Sequence, residues 1–251
     1  MSNQRYPQSF AELSHDELVK CVMDGFRRTV AHYGIWFREV EHQLGREQAR
    51  EVEAEAGDAA WEIILKRLAE VLGFEIDNGV PRALQKKSTE ELQALMKAVA
   101  INWLVNDGIW FQTVEKRHGM DCAKRCNDTA WARLSPYEAS RIKKLLGLPD
   151  RPGLAGLKTA LQFRLYAKIN EQSIEDVDEH SFIFRMNDCR VQSARKRRGL
   201  ADYPCKSGGL VEYATFAAAI DPRITTECIG CPPDEHPAEW FCAWKFTLQK
   251  E

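Results

Sequence analysis

The sequence predicts an α+β protein: a mainly helical amino-terminal part built from a duplicated helical unit, then a small cysteine-rich α+β domain. Three observations carry that reading. The phrase GIWFREVE at 34–41 returns as GIWFQTVE at 108–115, an offset of 74 (108 minus 34). Apolar residues in both copies recur at helical spacing. After about residue 150 the texture changes to short apolar runs divided by Pro and Gly, and five of the eight cysteines fall there.

The offset aligns more than the eight-residue phrase. Ser14, Glu17 and Leu18 fall on Ser88, Glu91 and Leu92, and Gly45 and Ala49 fall on Gly119 and Ala123. With a small gap, DAAW ending at Trp61 meets DTAW ending at Trp131. Each copy opens with a capping box, Ser14-x-x-Glu17 and Ser88-x-x-Glu91, in which hydroxyl and carboxylate satisfy free amides at a helix start. Leu18, Cys21, Val22 and Phe26 then follow helical spacing, as do Leu92, Leu95, Met96, Val99 and Leu104. Gly34 and Gly108 are expected to mark a kink, and Gly45 and Gly119 to supply the left-handed residue that ends a helix. A further helix carries Asp-x-Ala-Trp in each copy. Residues 11–150 are therefore read as a duplicated helical domain, with copies at about 14–76 and 88–150 facing each other about a pseudo-twofold axis.

LPDRPGLAG at 148–156 has the proline and glycine density of a joint, with a helix expected from Leu157 to about Asn170. Beyond it, SFIFRMNDCRV (181–191), RITTECIGC (223–231) and EWFCAWKFTL (239–248) read as strands, and GGLVEYATFAAAI (208–220) as a helix opened by glycines. Residues 157–251 form the small α+β domain in this reading.

A chain of 251 residues with a formal charge of −2 can bury a sizeable core and gives no whole-chain electrostatic reason to expect nucleic acid. No apolar run approaches the roughly 20 residues that span a bilayer, and the polar start MSNQRYPQSF lacks the regions of a signal peptide. The expected location is cytoplasmic, without membrane contact. The dense basic run ARKRRGL (194–200) lacks interleaved aromatic residues for stacking bases, so a solvated face is the simpler reading. Arg190 and Arg195 could instead receive a carboxylate or phosphate.

Trp36, Phe37, Trp110 and Phe111 either fill a duplicated seam or wall a cavity between the copies, with Glu41 and Glu115 pointing into it. A salt bridge would explain the two glutamates equally well. Glu39-x-x-His42 and Glu115-x-x-His118 suggest a di-iron bundle, but residue 115 pairs with 41 and not with 39, which turns the side chains roughly 200° around a helix. Cys122 and Cys126 share a helix face without a second pair to complete a ligand set.

Cys228-x-x-Cys231 has a spacing that lets one turn present two thiolates to a metal ion. Cys189, Cys205 and Cys242 lie near it in the fold as read, so the five thiols Cys189, Cys205, Cys228, Cys231 and Cys242 are the candidate ligands. A zinc ion would suit four thiolates, and an iron-sulfur cluster or no cofactor at all are the alternatives. If the strand cysteines Cys189 and Cys242 are core hydrophobes, Cys205, Cys228, Cys231 and His236 remain as a possible set.

The stretches MNDCRVQSARKRRGL, YPCKSGGLVEYATFAAAIDPRI, ECIGCPPDEHP and FCAWKFTL, with DGIWFQTVEKRHGM before them, resemble a family of uncharacterised bacterial cytosolic proteins. That family is grouped near the L-2-amino-thiazoline-4-carboxylic acid hydrolase family. The carboxy-terminal part is more distantly similar to the 4-vinyl reductase domain, a small α+β module thought to bind small ligands. Its cysteine pattern maps onto Cys205, Cys228 and Cys242, with Cys231 additional. The resemblance implies a metal or ligand site beside a small-molecule pocket. If it extends to activity, the protein is a hydrolase of a cyclic amidine or related C–N bond, with Glu227 or Asp188 shuttling the proton or Cys205 as nucleophile. The alternative is a non-enzymatic small-ligand-binding sensor or adaptor, and a homodimer is compatible with either.

Overall fold

A computed structural model describes residues 6–199 and 201–250, which leaves the opening five residues and Leu200 of the basic run outside the description. An α+β protein emerges, helical over its amino-terminal part and sheet-containing after it. The chain divides into two compact units, one within Met1–Leu65 and one within Lys66–Glu251.

In the first unit, α1 (His15–Leu44) begins at the Ser14 capping box, with the Ser14 amide donating to Glu17 Oε2 at 2.8 Å. Gly34 does not kink it. A helix-interior glycine costs about 1 kcal/mol relative to alanine but keeps its backbone hydrogen bonds, so α1 runs on unbroken. Gly45 (φ +89°) turns the chain into α2 (Arg46–Leu72), a conformation that L side chains rarely adopt. Tyr33 Oη donates to Glu53 Oε1 (2.6 Å), and Glu41 pairs with Arg46 Nε at 3.3 Å. Trp36 is 62% exposed, so it fills no core.

Beyond α2, whose residues from Lys66 on belong to the second unit, comes a hairpin, β1 (Ile76–Asp77) and β2 (Val80–Pro81), with Asn78 and Gly79 both at positive φ as a tight hairpin turn requires. A short α3 (Arg82–Gln85) leads to α4 (Thr89–His118), capped by Ser88 and Glu91, and α5 (Met120–Leu146) follows Gly119 at φ +84°. α4 likewise runs unbroken through Gly108. Next come α6 (Gly153–Phe163), a 3₁₀ turn (Leu165–Lys168), β3 (Glu171–Asp178), β4 (Ser181–Asp188), α7 (Arg190–Lys196), α8 (Lys206–Ile220), β5 (Ile224–Gly230) and β6 (Cys242–Leu248).

The four strands form an antiparallel sheet in the order β3-β4-β6-β5. Strand alternation sends Phe182, Phe184 and Met186 of β4, and Trp244 and Phe246 of β6, to one face, where α6 and α8 cover them. On β5 the ladder passes from Cys228–Trp244 directly to Gly230–Ala243, a bulge at Ile229 that re-aims the chain as it reaches Cys231.

An ion cluster lies inside this core. Arg164, 2% exposed, donates from Nε to Glu138 Oε2 (2.9 Å) and contacts Glu212 Oε1 from a terminal nitrogen at 2.7 Å. The Phe216, Tyr166 and Tyr213 rings surround the guanidinium at 4.6, 5.5 and 5.6 Å. Burial works against its charge, and Glu138 and Glu212 more than reverse that, so Arg164 stays protonated. Arg164→Met strands two carboxylates in the interior and is expected to cost about 3–5 kcal/mol in urea denaturation; a cost under about 1 kcal/mol would contradict the pairing.

Asp221, wholly buried at the end of α8, accepts from Gly153 N (2.9 Å) and from Arg223 Nε and Nη2 (3.0 and 2.8 Å). The Arg223 hydrogen bonds hold its carboxyl down at about 2, below its ordinary 3.8. A depressed folded value means the stabilisation is present above the unfolded value and is lost as pH falls through the folded one. Asp221→Asn should therefore lose about 2 kcal/mol at pH 7, and the gap to wild type should close as pH falls from about 4 towards 2.

Candidate functional site

A cavity of about 450 Å³ opens in the second unit, enclosed by α4, α5, α7, α8 and the β4–β6 face of the sheet. All of its lining residues lie between Leu104 and Trp244, a size and setting typical of small-molecule sites. Six aromatic residues contribute to its walls. Trp131 stacks on Tyr166 (centroids 5.5 Å apart, 11° between planes), Phe111 meets Tyr203 edge-on at 5.2 Å, and Tyr213 stacks on Trp244 at 4.8 Å. Gly209 of α8 makes the last packing possible, because an added Cβ there would lie 2.5 Å from Trp244 Cζ2.

Polar groups interrupt the aromatic surface at a few points. Asp107 of α4 and Glu212 of α8 face the cavity, and burial raises the pKa of both, against Lys124 for the first and Arg164 for the second. Burial likewise raises the Tyr203 and Tyr166 hydroxyls. Three buried polar atoms on the lining residues lack a hydrogen-bond partner: Tyr203 Oη, Trp244 Nε1 and Asn170 Nδ2. Arg190, Arg195 and Arg198 complete the lining on the α7 side, where Arg190 and Arg198 are exposed.

Four thiols face the same cavity: Cys189, Cys205, Cys231 and Cys242. Gln192, 1% exposed, clamps the chain before α8 by accepting from Tyr203 N (2.8 Å) and donating to Tyr203 O (2.9 Å) and Cys205 Sγ (3.0 Å). Lys206 N donates to Pro232 O at 2.9 Å, which docks the loop after β5 on the start of α8 and brings Cys231 to Cys205. Hydrogen bonds to Cys205 and Cys242, with burial, raise the Cys231 thiol far above its ordinary range, and burial pushes Cys189 up to about 12. Cys228 does not line the cavity; burial raises it too, against Lys206. Among the described residues no group of three or more His, Cys, Asp or Glu could hold a metal ion. His236 is engaged with Asp202 at 3.0 Å.

The remaining sequence-derived candidates separate. Phe111, Glu115, Arg190 and Arg195 line the cavity, whereas Trp36, Phe37, Glu41 and Trp110 do not, and Trp110 is 68% exposed. Glu227 and Asp188 are exposed and absent from the lining, with Asp188 bonded to Ser193 Oγ. Sequence reasoning passed over Asp107, Trp131, Tyr166, Tyr203, Gln192 and Glu212. Of these, Glu212 carried a signal, being the charge inside the apolar run GGLVEYATFAAAI, and Trp131 carried another, closing the repeated Asp-x-Ala-Trp.

Among the described residues no helix is long and apolar enough to cross a membrane. The model of a family of unknown function, DUF6125, matches residues 11–88 and 84–248, and the chain belongs to that family. The match names neither the hydrolase family nor the 4-vinyl reductase domain that parts of the sequence resemble. No curated protein matches the sequence. Among solved structures, the phenol-responsive sensory domain of the transcription activator PoxR with phenol is similar at a TM-score of 0.38 and 16% identity, over 64% of this chain and 75% of that one. Neither a common fold nor a common ligand follows from similarity at that level.

Gly209→Ala tests how the site is built. The added methyl must displace the Trp244 indole, a wholly buried ring, so a loss of about 1–3 kcal/mol is expected by thermal denaturation; an unchanged melting temperature would mean the indole is not held against α8.

Proposed function

We propose that this is a non-enzymatic protein that binds a small organic molecule in the cavity of its second unit, acting as a ligand sensor or adaptor. The observation that carries this reading is a largely apolar space of about 450 Å³ on which six aromatic residues, Phe111, Trp131, Tyr166, Tyr203, Tyr213 and Trp244, converge. Rings supply the contact area, and polar groups among them, such as Asp107 and Gln112, fix orientation, which is the composition expected of a specific binding pocket.

Turnover fits the site less well. A hydrolytic step needs an acid or base within reach of the reacting atom, and the proton-shuttling candidates Glu227 and Asp188 lie outside the lining. A thiol nucleophile needs a neighbouring base to take its proton, and Cys205, the candidate, donates instead to the backbone carbonyl of Tyr203 at 3.2 Å. The thiol cluster serves this reading as packing that closes one wall.

Gly108 provides the test. It lines the cavity, and an added Cβ there meets nothing within 4 Å, so Gly108→Leu should fill the space while leaving the helix as stable or up to about 1 kcal/mol more stable. Ligand-observed NMR with a set of aromatic fragments should find mutually competing binders that the variant no longer takes up. Binders retained by folded Gly108→Leu would place the site elsewhere and overturn the proposal.

A further inference from the structure

We propose that the exposed apolar face of α1 is a homodimer interface, on which the same helix of a second copy of this chain packs antiparallel, with the two Val22 side chains meeting on the twofold axis. This surface belongs to the first unit and is independent of the cavity.

α1 is amphipathic, yet none of its residues is buried. On a helix of 3.6 residues per turn, Val19, Val22, Met23, Phe26 and Val30 share an arc of about 100°, the width of a face that meets a core. They are 44–74% exposed. The repeat has this face covered in its other copy. Phe26 and Val30 align with Ala100 and Leu104 of α4, of which the first is wholly buried and the second lines the cavity. Trp61 of α2, exposed, aligns with buried Trp131. In the second unit the elements after α5 supply the cover. The described part of the first unit holds a short 3₁₀ turn (Phe10–Glu12), α1 and part of α2. A contiguous apolar face left bare in this way marks an association surface.

The charges beside the face identify the partner as a second copy. Counting outward from Val22, Lys20 mirrors Asp24, Glu17 mirrors Arg27 and Asp16 mirrors Arg28. An antiparallel pair with its twofold axis at Val22 sets each residue against its mirror position in the mate, so all three positions become opposite-charge pairs, each made twice. Leu18 then meets Phe26 across the same seam. A parallel in-register pair would set each charge against its own kind. Along the helix Asp24 already holds Arg28 at 2.9 Å, so Lys20 of the mate would extend that ion pair into a network.

Sedimentation velocity of the full chain from about 1 to 100 μM is the test. Wild type is expected to sediment at twice the 28.7 kDa of one chain. Val22→Arg, at an exposed helical position, should give monomers without loss of helix by circular dichroism. Lys20→Glu sets glutamate against Asp24 at two symmetric points and should weaken dimerisation about tenfold, and adding Asp24→Lys should restore it to within about threefold of wild type. A wild type that stays monomeric throughout, a dimer that survives Val22→Arg, or a charge exchange that fails to restore pairing overturns the proposal. The charge exchange decides it should Val22→Arg not fold.

Discussion

A guanidinium sealed in a hydrocarbon interior must be neutralised where it lies, and in this protein two helices are fixed by that demand. Arg164 enters from the end of α6, Glu138 comes from α5 and Glu212 from α8, so the ion cluster ties three segments that sheet packing alone would leave free to slide. Glu138 also accepts from Leu165 N at 3.3 Å, fixing the 3₁₀ turn that carries Tyr166 into the cavity wall. Because Glu212 belongs to both the cluster and the lining, one interaction sets both the architecture and the electrostatics of the site.

The sulfur-rich wall has a different origin. Cys242 rides on β6 at the spacing that puts it on the Trp244 face, Cys189 ends β4, Cys205 precedes α8, and the β5 bulge with the docked loop delivers Cys231. Mutual hydrogen bonding and burial keep the Cys231 thiol protonated, and burial raises Cys189 as well.

Much of the fold was legible in the sequence, because capping boxes and apolar period are local properties. Ser14 and Ser88 start helices as written, and β4, β5, β6 and α8 fall within two or three residues of their apolar runs. β3 was not legible. Its sequence EQSIEDVD has the composition of a solvated loop, and it is a strand because β4 offers it a ladder. α7 was hidden in a basic run, and Gly34 and Gly108 do not break their helices because glycine permits a break without imposing one. The site was legible only in part. Phe111, Glu115, Arg190, Arg195 and four cysteines could be named, but the opposite wall depends on which face of α4 and α5 meets α8. A duplicated phrase cannot say that, and of the two copies only the 108–115 phrase contributes to this cavity.

A crystal structure of the protein with an aromatic fragment that binds it in solution is the most direct measurement of the account. It should place the ring in the cavity among Trp131, Tyr166 and Tyr203. Density for the fragment outside this cavity, or an interior closed over by Trp244 and Tyr203 with no room for a ring, would contradict it.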